Sequence, residues 1–121
     1  MTIERENLTA ANIKYLLAVR ELHRNRESVR SVDVAELLGI SRPSVHTMIE
    51  TMKIMGLLTK EKRGEIRFTD KGATLADTYS QYYQVICEHL ETLFPNDSDI
   101  RSAVCAVMAE VSEDGLDKLL A

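Results

Sequence analysis

The segment over residues 31–56 constrains the fold more than any other part of the chain. It reads as a short helix over residues 32–38, a stop at Gly39, and a second helix that begins after Ser41. Serine is a preferred N-cap residue, and Pro43 fits the first turn because the amide hydrogen that it lacks has no helical partner there. Two helices joined by so short a turn predict a helix-turn-helix.

The second of these helices has one apolar and one polar face. Its apolar residues recur at steps of three and four, and we expect them to be buried: Val45, Met48, Ile49, Met52 and Met55. The start of the polar face carries Ser41, Arg42, Pro43, Ser44, His46 and Thr47. Residues at the N-terminal end of such a helix reach base edges in the major groove of DNA. Arg42 suits guanine or a phosphate, and the hydroxyl groups suit phosphates.

Two short apolar segments around a charged turn follow this helix. Residues 57–60 and 65–69 flank the turn at 61–64, which ends in glycine, and the pattern predicts a β-hairpin. The hairpin carries the basic residues Lys60, Lys62, Arg63 and Arg67. A basic wing of this kind suits the DNA backbone or minor groove. A helix-turn-helix without a wing is often only a structural corner, so the wing favours double-stranded DNA as the partner.

Helical periodicity predicts the remaining elements. We expect a first helix over 10–25 capped by Thr9, a long helix over 70–93 capped by Thr69, a helix capped by Asp97 or Ser98, and a last helix over 113–120. The long helix carries the apolar stripe Leu75, Tyr79, Tyr82, Tyr83, Ile86, Leu90 and Leu93. The predicted fold class is mainly α: a winged helix-turn-helix domain over residues 1–72, then a helical dimerisation domain over residues 73–121.

The distribution of charge agrees with a nucleic-acid partner although the net charge is −4. Residues 1–72 hold 13 basic and 10 acidic residues, whereas residues 73–121 hold 2 and 9. No apolar run approaches the ~20 residues that span a bilayer, and the first residues lack a signal-peptide pattern, so we expect a cytoplasmic protein without a membrane partner. No catalytic triad, phosphate-binding loop or pair of acids is recognisable, so we expect no enzyme.

Two runs, residues 30–45 and residues 64–72, resemble the diphtheria toxin repressor family, and within it the short manganese transport regulators. The resemblance covers essentially the whole chain. It implies a homodimer, formed through the helices after residue 70, that binds a palindromic operator as a repressor when a divalent transition metal is present.

The metal ligands that this resemblance implies are mostly substituted. The two first-helix positions fall on Ala11 and Lys14, the long-helix histidine falls on Tyr83, and the last ligand run becomes residues 105–109. Only Cys105 keeps a recognised ligand type, with Met108 as a soft donor. Manganese prefers oxygen and imidazole ligands, so we expect the family's usual site to be lost.

Other responses stay open at this point. Cys87 and Cys105 are candidates for a soft-metal or thiol sensor, although two buried apolar cysteines are the simpler reading. A small-molecule-responsive regulator and a winged-helix protein-interaction module are the further alternatives.

Overall fold

The computed structural model describes residues 7–121, which form six helices and one two-stranded sheet. In chain order the elements are α1 (Ala10–Asn25), α2 (Ser31–Leu38), α3 (Arg42–Ile54), β1 (Leu58–Lys60), β2 (Ile66–Phe68), α4 (Asp70–Leu93), α5 (Ile100–Glu110) and α6 (Glu113–Lys118). This order confirms the predicted mainly helical fold with a two-stranded wing. No helix within the described range is long and apolar enough to cross a membrane.

The chain divides into two compact units. The winged unit is Tyr15–Asp77, and the helical unit joins the described residues up to Lys14 with Thr78–Ala121. Helices α1 and α4 contribute residues to both units. The domain boundary that the sequence predicts, between residues 72 and 73, stays a prediction.

The wing is an antiparallel hairpin tied to the rest of the winged unit by backbone hydrogen bonds. Leu58 pairs with Phe68 and Lys60 pairs with Ile66. The Ile66 amide also donates to the Val29 carbonyl oxygen at 2.7 Å, so β2 is held on its other edge by the segment before α2. The core of this unit is apolar and includes Leu16, Val19, Val34, Val45, Ile49, Met52, Leu57, Leu58 and Ile66. These contacts fix the wing beside the helix-turn-helix.

Three of the four helix caps that the sequence predicts are observed, and the fourth is not. The hydroxyl groups of Thr9, Ser41 and Thr69 each accept a hydrogen bond from the amide three residues later, as predicted. The predicted cap of α5 is wrong: Asp99 accepts from the Ser102 amide at 3.3 Å. Asp97 instead accepts from the Asp99 amide at 2.8 Å, because its short side chain closes a turn before the helix.

The helical unit has a small core around the long helix. Tyr79 and Tyr82 of α4 pack edge to face with ring centroids 5.5 Å apart, and the Tyr82 hydroxyl donates to Asp117. Other buried residues of this unit are Leu8, Ile13, Ile86, Val104, Cys105, Met108 and Leu116. The apolar stripe of α4 is not buried along its full length, since Leu93 is 69% exposed and Phe94, just after the helix, is 56% exposed.

Candidate nucleic-acid interface and metal site

The start of α3 faces solvent. Ser41, Arg42, Pro43 and Ser44 are all exposed, and the Ser41 hydroxyl donates to Ser44 Oγ at 2.9 Å. Val45, Ile49 and Met52 on the opposite face are buried and hold the helix in the core. The leading turn of α3 is therefore presented outward while its inner face fixes its orientation.

Further along α3 the polar face stays open. His46, Thr47 and Thr51 are exposed. The Thr47 hydroxyl donates to the Pro43 carbonyl oxygen at 3.0 Å, and the Thr51 hydroxyl donates to the Thr47 carbonyl oxygen at 3.0 Å. These bonds orient the threonine oxygens, which remain acceptors toward solvent. Of the predicted apolar stripe, Met48 and Met55 are only partly buried.

The wing presents cations at its turn. Glu61 and Glu65 close the turn through a backbone hydrogen bond of 2.8 Å, and Gly64 adopts a φ of 83°, which favours glycine. The side chains of Lys62 and Arg63 are exposed and form no ion pair with another described residue. Arg67 differs, because its guanidinium lies 3.0 Å from the Glu65 carboxylate. Lys62 and Arg63 are therefore the wing cations best placed to meet a phosphate.

A groove of about 290 Å³ lies between the helix-turn-helix and the wing. It is lined by Arg30, Ser31, Val32, Arg42, His46, Lys60 and Gly64. Three of these residues are basic, and none of the described residues that line the groove is acidic. The Ser31 hydroxyl is buried and has no hydrogen-bond partner within the part of the chain that the structure describes. A groove lined by several basic residues suits a phosphate group.

Arg30 is a further candidate interface residue, which sequence reasoning missed. Its guanidinium donates to the Arg63 carbonyl oxygen and lies 3.2 Å from the position of a Cβ on Gly64. Its backbone amide donates to Asp33, which caps α2. Arg30 thereby ties the start of α2 to the turn of the wing. The only local signal was the Arg30 to Asp33 spacing at the start of α2, which says nothing about a contact 33 residues away.

The sequence-predicted interface residues meet in this unit. Ser41, Arg42, Pro43, Ser44, His46 and Thr47 share the exposed side of α3, and Lys60, Lys62, Arg63 and Arg67 lie on the wing. Arg42, His46 and Lys60 come together at the groove, and Arg67 is the one engaged in an ion pair inside the wing.

The candidate metal-binding residues of the helical unit offer poor donors. Cys105 is fully buried, and burial raises the pKa of its thiol to about 11 even though the charges of Lys14 and Arg101 act against the rise. Burial therefore disfavours the thiolate, which is the form that a metal binds. Met108 is buried and supplies only a thioether. Ala11, at a first-helix ligand position, has no donor atom in its side chain.

The remaining candidates are engaged elsewhere. The ammonium of Lys14 donates to the Ser102 hydroxyl. Burial, with Cys87 as a further cause, raises the pKa of Tyr83 to about 12. The Cys87 thiol donates to the Glu91 carboxylate at 3.4 Å. Partial burial is the main cause that raises the pKa of Cys87, and the Glu91 carboxylate raises it further. Neither cysteine has the depressed pKa that a reactive redox thiol needs.

The donor set therefore does not fit a hard divalent cation. The candidate positions carry a buried thiol, a thioether and an ammonium, and none of these is the carboxylate or imidazole ligand that such a cation prefers. Within residues 7–121 no three histidine, cysteine or acidic side chains come together in a way that could hold a metal ion.

Comparisons with known proteins agree with this architecture. Residues 7–66 match the family described as iron dependent repressor, N-terminal DNA binding domain. A transcriptional regulator MntR of Escherichia coli O6:H1 is 28% identical over 103 residues, which are 85% of this chain and 66% of the relative. The chain thus spans slightly less than two thirds of that relative's length.

Two solved structures share the fold. The manganese regulator SloR superposes with a TM-score of 0.71 at 24% identity, covering 88% of this chain and 50% of that protein. The metal-dependent transcriptional regulator MtsR superposes with a TM-score of 0.72 at 24% identity, covering 92% of this chain and 53% of that protein. This chain spans about half the length of each.

Proposed function

Since the chain belongs to the diphtheria toxin repressor and manganese transport regulator family, we propose that it is a transcription regulator that binds double-stranded DNA. The observation that carries the proposal is the solvent-facing start of α3 beside a wing whose turn presents cations that form no ion pair with another described residue. A helix with a free leading turn fits the major groove, while a neighbouring cationic hairpin fits the flanking backbone. A DNA partner implies the cytoplasmic location that the sequence predicts.

The candidate residues fall into two groups: one is assigned to base edges, and the other is assigned to the phosphate backbone of DNA. Arg42 is exposed at the first position of α3, and no ion pair with another described residue occupies its guanidinium. We assign it to a base edge, with guanine as the preferred base. The Ser41 and Ser44 hydroxyls, the groove cations and the wing residues Lys62 and Arg63 are assigned to phosphates, which set position and affinity.

The proposal extends to a homodimer on a palindromic operator. Leu93 and Phe94, at the end of α4, are more exposed than the other large apolar residues that the helical unit leaves in solvent, which are Val111, Leu119 and Leu120. Covering Leu93 and Phe94 with a second copy removes apolar surface from water. A two-fold symmetric dimer then reads two half-sites, and binding at a promoter represses transcription by obstruction.

The test is DNA retention by the purified chain at low salt, first with genomic fragments and then with the fragment that is retained. We expect affinity to fall steeply as salt rises, because each neutralised phosphate releases counterions. Arg42→Ala is expected to cost about 1–3 kcal/mol for each half-site and to relax the preference at one base pair of each, whereas Lys62→Ala weakens binding to all sequences alike.

Lys118→Ala is the matched control, since Lys118 is an exposed lysine of the helical unit and its loss changes the net charge equally. Failure to retain any genomic fragment at low salt would contradict the proposed function. Capture of a partner protein, with affinity for it unchanged by Arg42→Ala, would favour the protein-interaction alternative.

A further inference from the structure

We infer that Lys14 supplies a built-in cation to the helical unit, so that this regulator binds its operator without a divalent metal. The inference rests on the proposed function for its DNA readout, but its metal readout is independent of DNA. It concerns the positions to which the family resemblance assigns metal ligands, where this chain has side chains of a different chemistry.

The first step is the contact that Lys14 makes. Lys14 lies in the second turn of α1 and is partly buried, and its ammonium donates to the hydroxyl of Ser102 in the first turn of α5. The two residues are 88 positions apart in sequence. The Ser102 amide in turn donates to the α5 cap, Asp99, at 3.3 Å. A cation of the chain itself therefore joins the start of the first helix to the capped start of α5.

The second step is the charge around this contact. The pKa of Asp99 lies below its usual value, mainly because Ser102 donates hydrogen bonds to its carboxylate. The charges of Lys14 and Arg101 lower this pKa further. The Lys14 ammonium stands at a position that the family resemblance assigns to a metal ligand, so a divalent cation placed there would meet a like charge in place of a ligand.

The third step is the consequence for regulation. A metal that joins two helices does so only when the ion is available, and it can therefore act as a switch. The Lys14 ammonium is part of the chain, so its bond to Ser102 does not depend on the supply of an ion. The link between α1 and α5 is then permanent, and Lys14 is a positioning residue that keeps the helical unit in one arrangement.

The experiment uses the full chain after dialysis against EDTA, with manganese as the probe ion. We expect affinity for the retained DNA fragment to change by less than about twofold when the ion is added, and the unfolding temperature to stay the same, because an ion that does not bind the folded state cannot shift either equilibrium. A saturable rise in the unfolding temperature, or DNA binding tightened about tenfold or more by the ion, would overturn the inference.

Three variants test the role of Lys14. Lys14→Met removes the charge, Lys14→Arg keeps it, and Lys118→Met is the control for net charge in the same unit. We expect Lys14→Met to lower the unfolding temperature and the DNA affinity in metal-free buffer, Lys14→Arg to restore much of both, and added manganese to restore neither. Equal behaviour of Lys14→Met and Lys118→Met would overturn the role of Lys14.

The two proposals fail in distinguishable ways. If the chain binds no DNA with or without manganese, the proposed function fails, and the unfolding temperature with and without the ion still decides the inference. If DNA is bound only with manganese, the proposed function stands and the inference fails. The wild-type comparison also decides the inference when Lys14→Met does not fold.

Discussion

Among single residues, the cations of the winged unit differ in what they already bind. Arg42 and Lys62 form no ion pair with another described residue, whereas Arg67 is paired with Glu65 at 3.0 Å. An unpaired cation can meet a phosphate without first losing a partner, whereas a paired one must exchange partners. We therefore expect Arg67 to contribute less to DNA binding than its position on the wing suggests.

Arg30 leads to a prediction at the same scale. Arg30→Met removes the hydrogen bond that holds the Arg63 carbonyl oxygen, together with one cation of the groove. A hydrogen bond of this kind is worth about 1 kcal/mol, so we expect the affinity for DNA to fall about fivefold or more for every sequence. The measurement is fluorescence anisotropy with the retained fragment and with an unrelated duplex.

The control for this prediction is Arg24→Met, which removes an exposed arginine near the end of α1 without touching the wing turn. Loss of affinity for one sequence but not for the other would show that Arg30 reads bases and does not position the wing.

At the scale of elements, the junction of the wing with α4 depends on the absence of a side chain at Gly72. A Cβ at this position would lie 1.9 Å from the Leu57 carbonyl oxygen, which is a backbone atom. That carbonyl accepts the Thr69 amide at 3.1 Å and so closes the wing at its base. The start of α4 and the root of β1 can approach this closely only with glycine.

Gly72→Ala is therefore expected to destabilise the chain strongly although alanine favours helices. Overpacking against the backbone costs about 1–3 kcal/mol or more, against a gain of about 1 kcal/mol in helix propensity. Gly56→Ala is the matched comparison, since Gly56 has a φ of 77° but nothing within 4 Å of its Cβ position. Urea unfolding in which Gly72→Ala loses less free energy than Gly56→Ala would contradict this account.

For the whole molecule, the exposed apolar residues predict its assembly. Leu93 and Phe94 of the helical unit and Ile54 of the winged unit, which is 88% exposed, are large apolar side chains left in solvent. We assign the first two to the dimer interface. Phe94→Glu is expected to weaken dimerisation by about 2 kcal/mol or more, because a charge would then be buried without a partner.

Light scattering over a range of concentrations checks this prediction, with a mass of 13.7 kDa for one chain. Ile54→Glu is the control and should leave the dimer intact while changing the net charge equally. A wild-type chain that is monomeric at micromolar concentration would contradict the dimer. Dissociation caused by Ile54→Glu but not by Phe94→Glu would contradict the assignment of the interface to Leu93 and Phe94.

Local features were predictable from the sequence by itself. The long helix was expected over residues 70–93 and is observed at Asp70–Leu93, because its apolar period and the cap at Thr69 both act within a few residues. The same reasoning placed the start of α3 at Ser41 and the two strands of the wing. Caps, periodicity and turns are properties of neighbouring residues, so the residue order determines them directly.

Contacts between distant residues were decided only by the tertiary structure. The bond from Arg30 to the Arg63 carbonyl oxygen spans 33 residues, and the bond from Lys14 to Ser102 spans 88. Even the cap of α5 was misplaced, because Asp97 and Asp99 are chemically alike and the path of the chain after Phe94 selects between them. A residue type shows which bonds a side chain can form, but the packing of the elements determines which partner lies within reach.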